Sequence, residues 1–276
     1  MALSRVITSV PIFFNDNNMI DYDTLGGHLN HIINDGITQI VILDTPEAYS
    51  LTAIERIEYA LYVYNNFHNY VQIIIKLNDM NTDANPLSLY AHYLMVNVPT
   101  HPEYSQEGLY QYLITLFNTI NRPFILSCGN NLTPDTIERL AHYNNFLALK
   151  DTSDDLYHTM QVIDMCPHLN VFTSNDNMVV PIMSVGGFGV ISMASNVVTI
   201  QMLQIVSSYQ QGLTNDTHNT LAIIRPILNH TYDCVSLKYI LSRVRNNMMI
   251  SNVRLPFIQL TEEMQNQFNN LNVNIL

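Results

Sequence analysis

The chain has 276 residues, 47% of them hydrophobic, and a formal net charge of -12 at pH 7. This composition supports a sizeable core and excludes a disordered chain, while the acidic balance offers no positive surface for nucleic acid or anionic lipid. The three cysteines form no CxxC pair, so we expect neither a zinc site nor a disulfide framework. The chain has no signal-peptide pattern and no apolar run of the roughly 20 residues that span a membrane, so we expect a reduced, cytoplasmic protein.

Short apolar runs alternate with segments of helical periodicity along about the first 190 residues. Runs rich in β-branched and aromatic residues predict eight strands, at residues 6–14, 37–43, 71–76, 94–98, 123–127, 146–150, 170–173 and 187–192. Capping residues and apolar spacing predict the intervening helices, at residues 22–35, 52–68, 86–93, 105–118, 154–165 and 178–185, with another that starts at Pro134. A polar stretch at residues 78–85 predicts a loop. Alternating strands and helices indicate a parallel sheet, and eight such units predict a closed (β/α)8 barrel.

The predicted fold class is therefore α/β, a (β/α)8 TIM barrel with a C-terminal helical extension. Residues 1–196 form the predicted barrel. Residues 197–276, where leucine and isoleucine recur at helical spacing, form a predicted helical region that packs on it.

In barrels of this kind, chemistry takes place at the carboxyl ends of the strands. The polar residues expected there are Asp44, Thr45, Lys76, His101, Ser127, Cys128, Lys150, Thr173 and Ser192. Lys150 ends an apolar strand, and an amine in a partly desolvated pocket can lose its proton and attack a carbonyl to form a Schiff base. The alternative is a lysine that merely ends a strand and reaches water. Lys76 also ends a strand at the barrel mouth and could be the amine instead. No further motif surrounds it, so we expect a solvated strand end.

Five segments of the chain carry a recognisable pattern. They are Ile20-Asp21-Tyr22 with Gly36-Ile37, Thr45-Pro46-Glu47 followed by Leu51 and Glu55-Arg56, Ser105 to Tyr110 (SQEGLY), Leu149 to Asp155 (LKDTSDD), and Gly187 to Asn196 (GFGVISMASN). In order and spacing they resemble the dihydrodipicolinate synthase and N-acetylneuraminate lyase family, over roughly residues 5–210. The resemblance implies a class I lyase that forms a Schiff base between Lys150 and a 2-keto acid such as pyruvate, without a metal or another cofactor. It also implies a homo-oligomer, usually a tetramer made of two dimers.

The same resemblance assigns the other site residues. A carboxylate-binding threonine falls on Thr45, a proton-relay tyrosine on Ser127, and a second tyrosine, contributed across a subunit interface, on His101. Asp176 and the following Asn177 resemble an Asp-Glu pair with which sialic-acid lyases bind hydroxyl groups. The remaining candidate substrate-binding residues are Asp44, Thr152 and Ile191.

Several positions depart from the family pattern. Asp44 stands where a glycine is usual and would repel a carboxylate, and Pro46 can donate no N–H to one. Where synthases carry an arginine for the carboxylate of the second substrate, this chain has Asn130 and Asn131. The missing arginine argues against dihydrodipicolinate synthesis in particular.

Three functional hypotheses follow. The first is an active Schiff-base lyase for a small 2-keto acid, in which His101, Ser127 or Thr45 passes the proton. The second is a catalytically inactive barrel that serves as a binding or assembly protein, since several helper groups are replaced. The third is a hydrolase with Cys128 as the nucleophile and His101 as its base.

Overall fold

The computed structural model describes residues 2–77, 84–119, 122–231, 233–245 and 251–268. Eight parallel strands form a closed barrel in chain order, and β1 pairs with both β2 and β8. The strands are β1 (Val6–Ser9), β2 (Gln39–Ile42), β3 (Gln72–Leu77), β4 (Tyr93–Asn97), β5 (Phe124–Cys128), β6 (Phe146–Asp151), β7 (Asn170–Thr173) and β8 (Gly189–Ser192). The predicted (β/α)8 barrel is confirmed.

Helices connect the strands and continue beyond them. They are α1 (Tyr22–Asn34), α2 (Ala53–Phe67), α3 (Ala84–Ser88), α4 (Gln106–Thr119), α5 (Pro134–Ala141), α6 (Leu156–Met165), α7 (Val179–Ser184), α8 (Thr199–Gln210), α9 (Thr214–Leu228), α10 (Cys234–Val244) and α11 (Glu262–Phe268). Side-chain caps fix several of the starts: Thr52 and Glu55 form a reciprocal capping box at α2, and Asp21 accepts from the N–H of Thr24 at α1.

Two predicted elements are wrong in extent. The first strand ends at Ser9 rather than near residue 14, because Pro11 has no N–H for the ladder, although the residues that follow stay buried. The helix predicted at residues 86–93 is only the short α3, because Tyr93 pairs with Ile74 and already belongs to β4. Most of the loop predicted at residues 78–85 lies outside the described residues.

Two hydrophobic layers surround the strands. Each strand contributes at least one buried side chain to the barrel interior, and these include Ile7, Val41, Ile74, Met95, Ile125, Ala148, Phe172 and Ile191. A second, larger cluster lies between the strands and the ring of helices. Within the described ranges, the cavities that adjoin this packed interior lie at the two ends of the barrel.

The C-terminal helices are continuous with the barrel. Helix α8 packs against β1 on one side and α9 on the other, so the division at residue 196 stays a prediction. Within the described ranges, no helix combines the length and apolar character needed to cross a membrane. The three cysteines are buried and unpaired.

Candidate active site

The strand pleat determines which side chains enter the carboxyl end of the barrel. Side chains along a strand alternate in direction, so the residue two positions after an interior residue also points inward. Applied to the interior layer, this rule places Lys76, Asn97, Ser127 and Lys150 above the packed core, and all four line a cavity there. The cavity has a volume of about 410 Å³.

Asp44 also lines this cavity, but the regular strand pleat does not place it there. The residue before it, Leu43, has a φ of 60°, in the left-handed region. This conformation turns the chain at the end of β2, so that Leu43 packs in the outer cluster while Asp44 lines the cavity.

Asp44 forms ion pairs with two lysines. Its Oδ2 lies 2.8 Å from Nζ of Lys150, and its Oδ1 lies 3.1 Å from Nζ of Lys76. The hydroxyl of Ser9 donates to Oδ2 at 2.8 Å. Burial alone would raise the pKa of Asp44, but the two ammonium groups hold it well below its usual range. Asp44 is therefore ionised at neutral pH.

Lys76 is buried, with 8% of its surface exposed, so the prediction of a solvated strand end is wrong. The apolar run of β3 carries this lysine into the barrel mouth, where Asp44 supplies the counter-charge. Sequence reasoning also missed Ser9 as a partner of Asp44. Ser9 lies two positions after Ile7, and Lys76 lies two positions after Ile74. This spacing from an interior residue was the signal that could have identified both residues.

Thr45 presents an unpaired hydroxyl to the cavity. Its side chain is buried, and its Oγ1 has no hydrogen-bond partner among the described residues. A buried hydroxyl without a partner costs free energy unless a ligand or water satisfies it. Pro46 follows immediately and begins a short 3-10 helix. The threonine hydroxyl is therefore the group that this loop offers to a ligand oxygen.

Three further predicted residues line the cavity. Ser127 is buried at the end of β5, Ile191 is buried in β8, and Thr152 is exposed just after β6. Their positions agree with the predicted substrate-binding region. Their roles in binding or proton transfer stay predictions.

Asp176 lies in an adjoining cavity of about 410 Å³, which shares Ser174 and Met193 with the first. Burial raises the pKa of Asp176 to about 6, against hydrogen bonds from Ser192 and from backbone N–H groups that include Ala194 at 3.1 Å. The other polar side chains that line this cavity are Asp154, Ser174, Asn175, Asn177 and Asn229. The second cavity is thus rich in carboxylate and amide groups.

His101 lies apart from this arrangement. It is exposed on the loop before α4, its Nδ1 accepts from the N–H of Glu103 at 3.2 Å, and its ring lies 5.2 Å from that of Tyr104. It does not line the cavity of its own chain. Burial and the nearby Asp151 raise the pKa of the Cys128 thiol, so both observations argue against a Cys128–His101 hydrolase.

In the described part of the chain, no group of three or more histidine, cysteine, aspartate or glutamate side chains is arranged to hold a metal ion. Among the described residues that line the first cavity, the charged groups are instead two amines and one carboxylate. Such a set suits covalent chemistry of an amine with a carbonyl compound.

Comparisons with known proteins find matches that extend over nearly the whole chain. A sequence model described as the dihydrodipicolinate synthetase family matches residues 2–273. A 4-hydroxy-tetrahydrodipicolinate synthase from Heliobacterium modesticaldum is 25% identical over 95% of this chain and 92% of its own length.

Solved structures agree in fold. A crystal structure of a dihydrodipicolinate synthase matches with a TM-score of 0.91 at 23% identity, covering 99% of both chains. The dihydrodipicolinate synthase from Acinetobacter baumannii, solved in complex with pyruvate, matches with a TM-score of 0.91 at 20% identity, covering 100% of both chains. At these identities the structural likeness establishes the fold.

Proposed function

The chain belongs to the dihydrodipicolinate synthetase family, and we propose that it is a Schiff-base lyase or aldolase that acts on a 2-keto acid such as pyruvate through Lys150. Enzymes of this family form the covalent Schiff base on a lysine and use no external cofactor. The observation that supports the assignment is the position of Lys150, the penultimate residue of β6, inside a cavity at the carboxyl end of a family barrel.

The proposed reaction begins with attack of the neutral Lys150 amine on the keto carbon. The carbinolamine that forms takes up the proton first given to Asp44, loses water and leaves an iminium, whose positive nitrogen accepts the electron pair when a carbon–carbon bond next to it breaks or forms. The ammonium proton must first leave Lys150, and Oδ2 of Asp44, 2.8 Å away, is the hydrogen-bonded acceptor. Ser127 and Thr45 line the cavity and are the candidates for later proton transfer through a water.

We propose that the second substrate differs from that of dihydrodipicolinate synthases. Asn130 and Asn131 follow β5 where those enzymes would carry an arginine, and Asn131 uses its amide to hold the backbone carbonyls of Val98 and Pro99 at 3.3 and 3.2 Å. The adjoining cavity around Asp176 offers carboxylate and amide acceptors and donors. These groups favour a hydroxyl-bearing aldehyde over a second carboxylate.

We expect a cytoplasmic homo-oligomer, as family members imply. The position of His101 fits this expectation, because an exposed loop can reach the cavity of a neighbouring copy although it does not line its own. The contribution of His101 to catalysis depends on that assembly and stays a prediction.

A catalytically inactive barrel is the second candidate function. The Asp44–Lys150 ion pair favours it, because an amine engaged by a buried carboxylate is less available to attack a carbonyl. In this case the cavity would bind an anion without turnover.

Trapping with sodium borohydride distinguishes the two candidates. The protein is incubated with pyruvate and a panel of other 2-keto acids, reduced, digested and mapped by mass spectrometry, with Lys150→Ala as control. We expect an adduct on the peptide that contains Lys150, absent from the control. No adduct with any 2-keto acid would favour the inactive barrel.

A further inference from the structure

The first cavity carries an excess of positive charge. Among the described residues that line it, the charged side chains are Asp44, Lys76 and Lys150. One carboxylate thus faces two amines, and each amine lies within 3.1 Å of one of its oxygens. A negatively charged ligand group would complement this described lining, beside the attraction between Lys150 and the neighbouring Asp176.

The proposed reaction keeps this imbalance. When Lys150 becomes an iminium it still carries one positive charge, so Asp44 stays shared between the iminium and Lys76. In a 2-keto acid the carboxylate is bonded directly to the carbon that becomes the iminium carbon. It therefore enters the cavity next to Lys150 and close to Lys76, whose Nζ pairs with the same Asp44 carboxylate.

Lys76 has a donor available for that carboxylate. An ammonium group has three N–H donors. Within the described ranges, two of them have acceptors on Asp44: Oδ1 at 3.1 Å and the backbone carbonyl oxygen at 3.3 Å. The two bonds fix the position of Nζ at the cavity wall, and no described residue accepts from the third donor, which a ligand can therefore use.

The loop after β2 supplies a second donor but not the usual backbone one. Pro46 has no N–H, whereas the buried hydroxyl of Thr45 lines the cavity and has no partner among the described residues. Lys76 and Thr45 thus present a cation and a hydroxyl on the same side of the cavity as Asp44.

We propose that Lys76 is the specificity-determining residue of the site: it binds the carboxylate of the 2-keto acid, with the Thr45 hydroxyl as the accompanying donor. This inference rests on the proposed function. The substrate class is consequently a carbonyl compound whose keto carbon bears a carboxylate, and uncharged ketones or aldehydes are selected against at this position.

The test compares pyruvate with pyruvamide, which keeps the keto group and the shape but carries an uncharged amide. Borohydride labelling of Lys150 is measured against ligand concentration in the wild-type protein, in Lys76→Gln, and in Lys76→Arg as the charge-retaining control. We expect Lys76→Gln to need about 10- to 100-fold more pyruvate for half-maximal labelling, the range typical of a lost charge-assisted hydrogen bond. Labelling by pyruvamide should not change, and Lys76→Arg should recover most of the loss.

Three results would overturn the inference. The first is the same pyruvate dependence in wild type and Lys76→Gln. The second is an equal loss for pyruvate and pyruvamide, since that would show that Lys76 only supports the structure. The third is labelling of Lys76 in place of Lys150.

Lactate separates this inference from the proposed function, because it has the carboxylate but no carbonyl. We expect lactate to raise the Tm of the wild-type protein and not that of Lys76→Gln. If no 2-keto acid labels Lys150 but lactate stabilises the wild type and Lys76→Arg and not Lys76→Gln, the proposed function fails and the carboxylate site stands. If lactate stabilises the wild type and Lys76→Gln equally, the carboxylate site fails.

Discussion

At the scale of single residues, Asp44 is a carboxylate shared by two ammonium groups that are each about nine-tenths buried. Such groups are stable in the interior only as a compensated set, because removal of one partner leaves the others charged and partly desolvated. The arrangement predicts strong energetic coupling between Asp44 and Lys76.

A double-mutant cycle measures this coupling. We expect Asp44→Asn to lower the free energy of unfolding by about 3 kcal/mol or more, since two buried ammonium groups then face each other. Lys76→Met should cost less, because Lys150 still compensates Asp44. In the double variant, the loss should be smaller than the sum of the two single losses, as measured by urea denaturation. Additive losses would show that the two side chains do not interact.

The sequence predicted Lys150 and Asp44 as cavity residues but not the ion pairs between them. Lys150 was identifiable because the apolar run of β6 and the LKDTSDD pattern mark it. The pairing depends on the turn at Leu43, which has a positive φ. No local sequence motif predicts this conformation. Lys76 was misjudged because its partner Asp44, in the loop after β2, lies 32 residues away in the chain.

At the scale of secondary-structure elements, α10 is tied to the loop after β2 by a second buried ion pair. Nζ of Lys238 lies 2.7 Å from Oε1 of Glu47, and both side chains are fully buried. Lys238 also donates to the backbone oxygen of Asn252 at 2.6 Å. Burial raises the pKa of Glu47 and lowers that of Lys238, against their mutual attraction.

Breaking this pair from one side should destabilise the protein. We expect Lys238→Met to lower the free energy of unfolding by about 3–5 kcal/mol, because Glu47 loses its counter-charge inside the core. Replacing both partners, in Glu47→Gln with Lys238→Met, should recover a large part of the loss. Urea denaturation of the three variants checks this, and a double variant no more stable than Lys238→Met would contradict it.

Most elements could be predicted from sequence because caps and apolar runs mark them locally. Asp21, Thr52 and Thr133 cap helices at the predicted places. The exceptions are elements whose limits depend on neighbours: β4 starts at Tyr93 because β3 pairs with it there. No local pattern announces the Glu47–Lys238 contact either, since the two residues are 191 positions apart.

At the scale of the whole molecule, an apolar groove of about 570 Å³ lies beside the His101 loop, with Tyr104 53% exposed on its wall. If the protein is a homo-oligomer that uses this face, Tyr104→Lys should shift its sedimenting mass towards the 31.5 kDa monomer. Tyr70→Lys is the matched control, because Tyr70 is 70% exposed at the opposite end of the barrel. A wild-type protein that sediments as a monomer would contradict the expectation.

The pH dependence of the free energy of unfolding is a further property of the whole molecule. Two buried groups, His28 and Asp176, change this free energy with pH in opposite directions. His28 donates through Nε2 to Oδ1 of Asn196 at 2.8 Å, and burial lowers its pKa to about 4. Burial raises the pKa of Asp176 to about 6. Between pH 4 and about 6, the folded protein therefore binds fewer protons at His28, and more at Asp176, than the unfolded chain does.

The two effects have opposite signs and similar size. As the pH falls through this window, His28 lowers the free energy of unfolding by about 3 kcal/mol, while Asp176 raises it by about 3 kcal/mol. The contributions of these two groups should nearly cancel in the wild type.

We expect Asp176→Asn to lose stability towards pH 4 relative to wild type, because only the His28 effect remains. His28→Gln, which keeps a donor for Asn196, should gain stability towards pH 4 relative to wild type. Urea denaturation at several pH values and constant ionic strength measures how the free energy of unfolding of each variant changes with pH. A variant whose free energy of unfolding changes with pH as that of the wild type does would show that the replaced group does not titrate in this window.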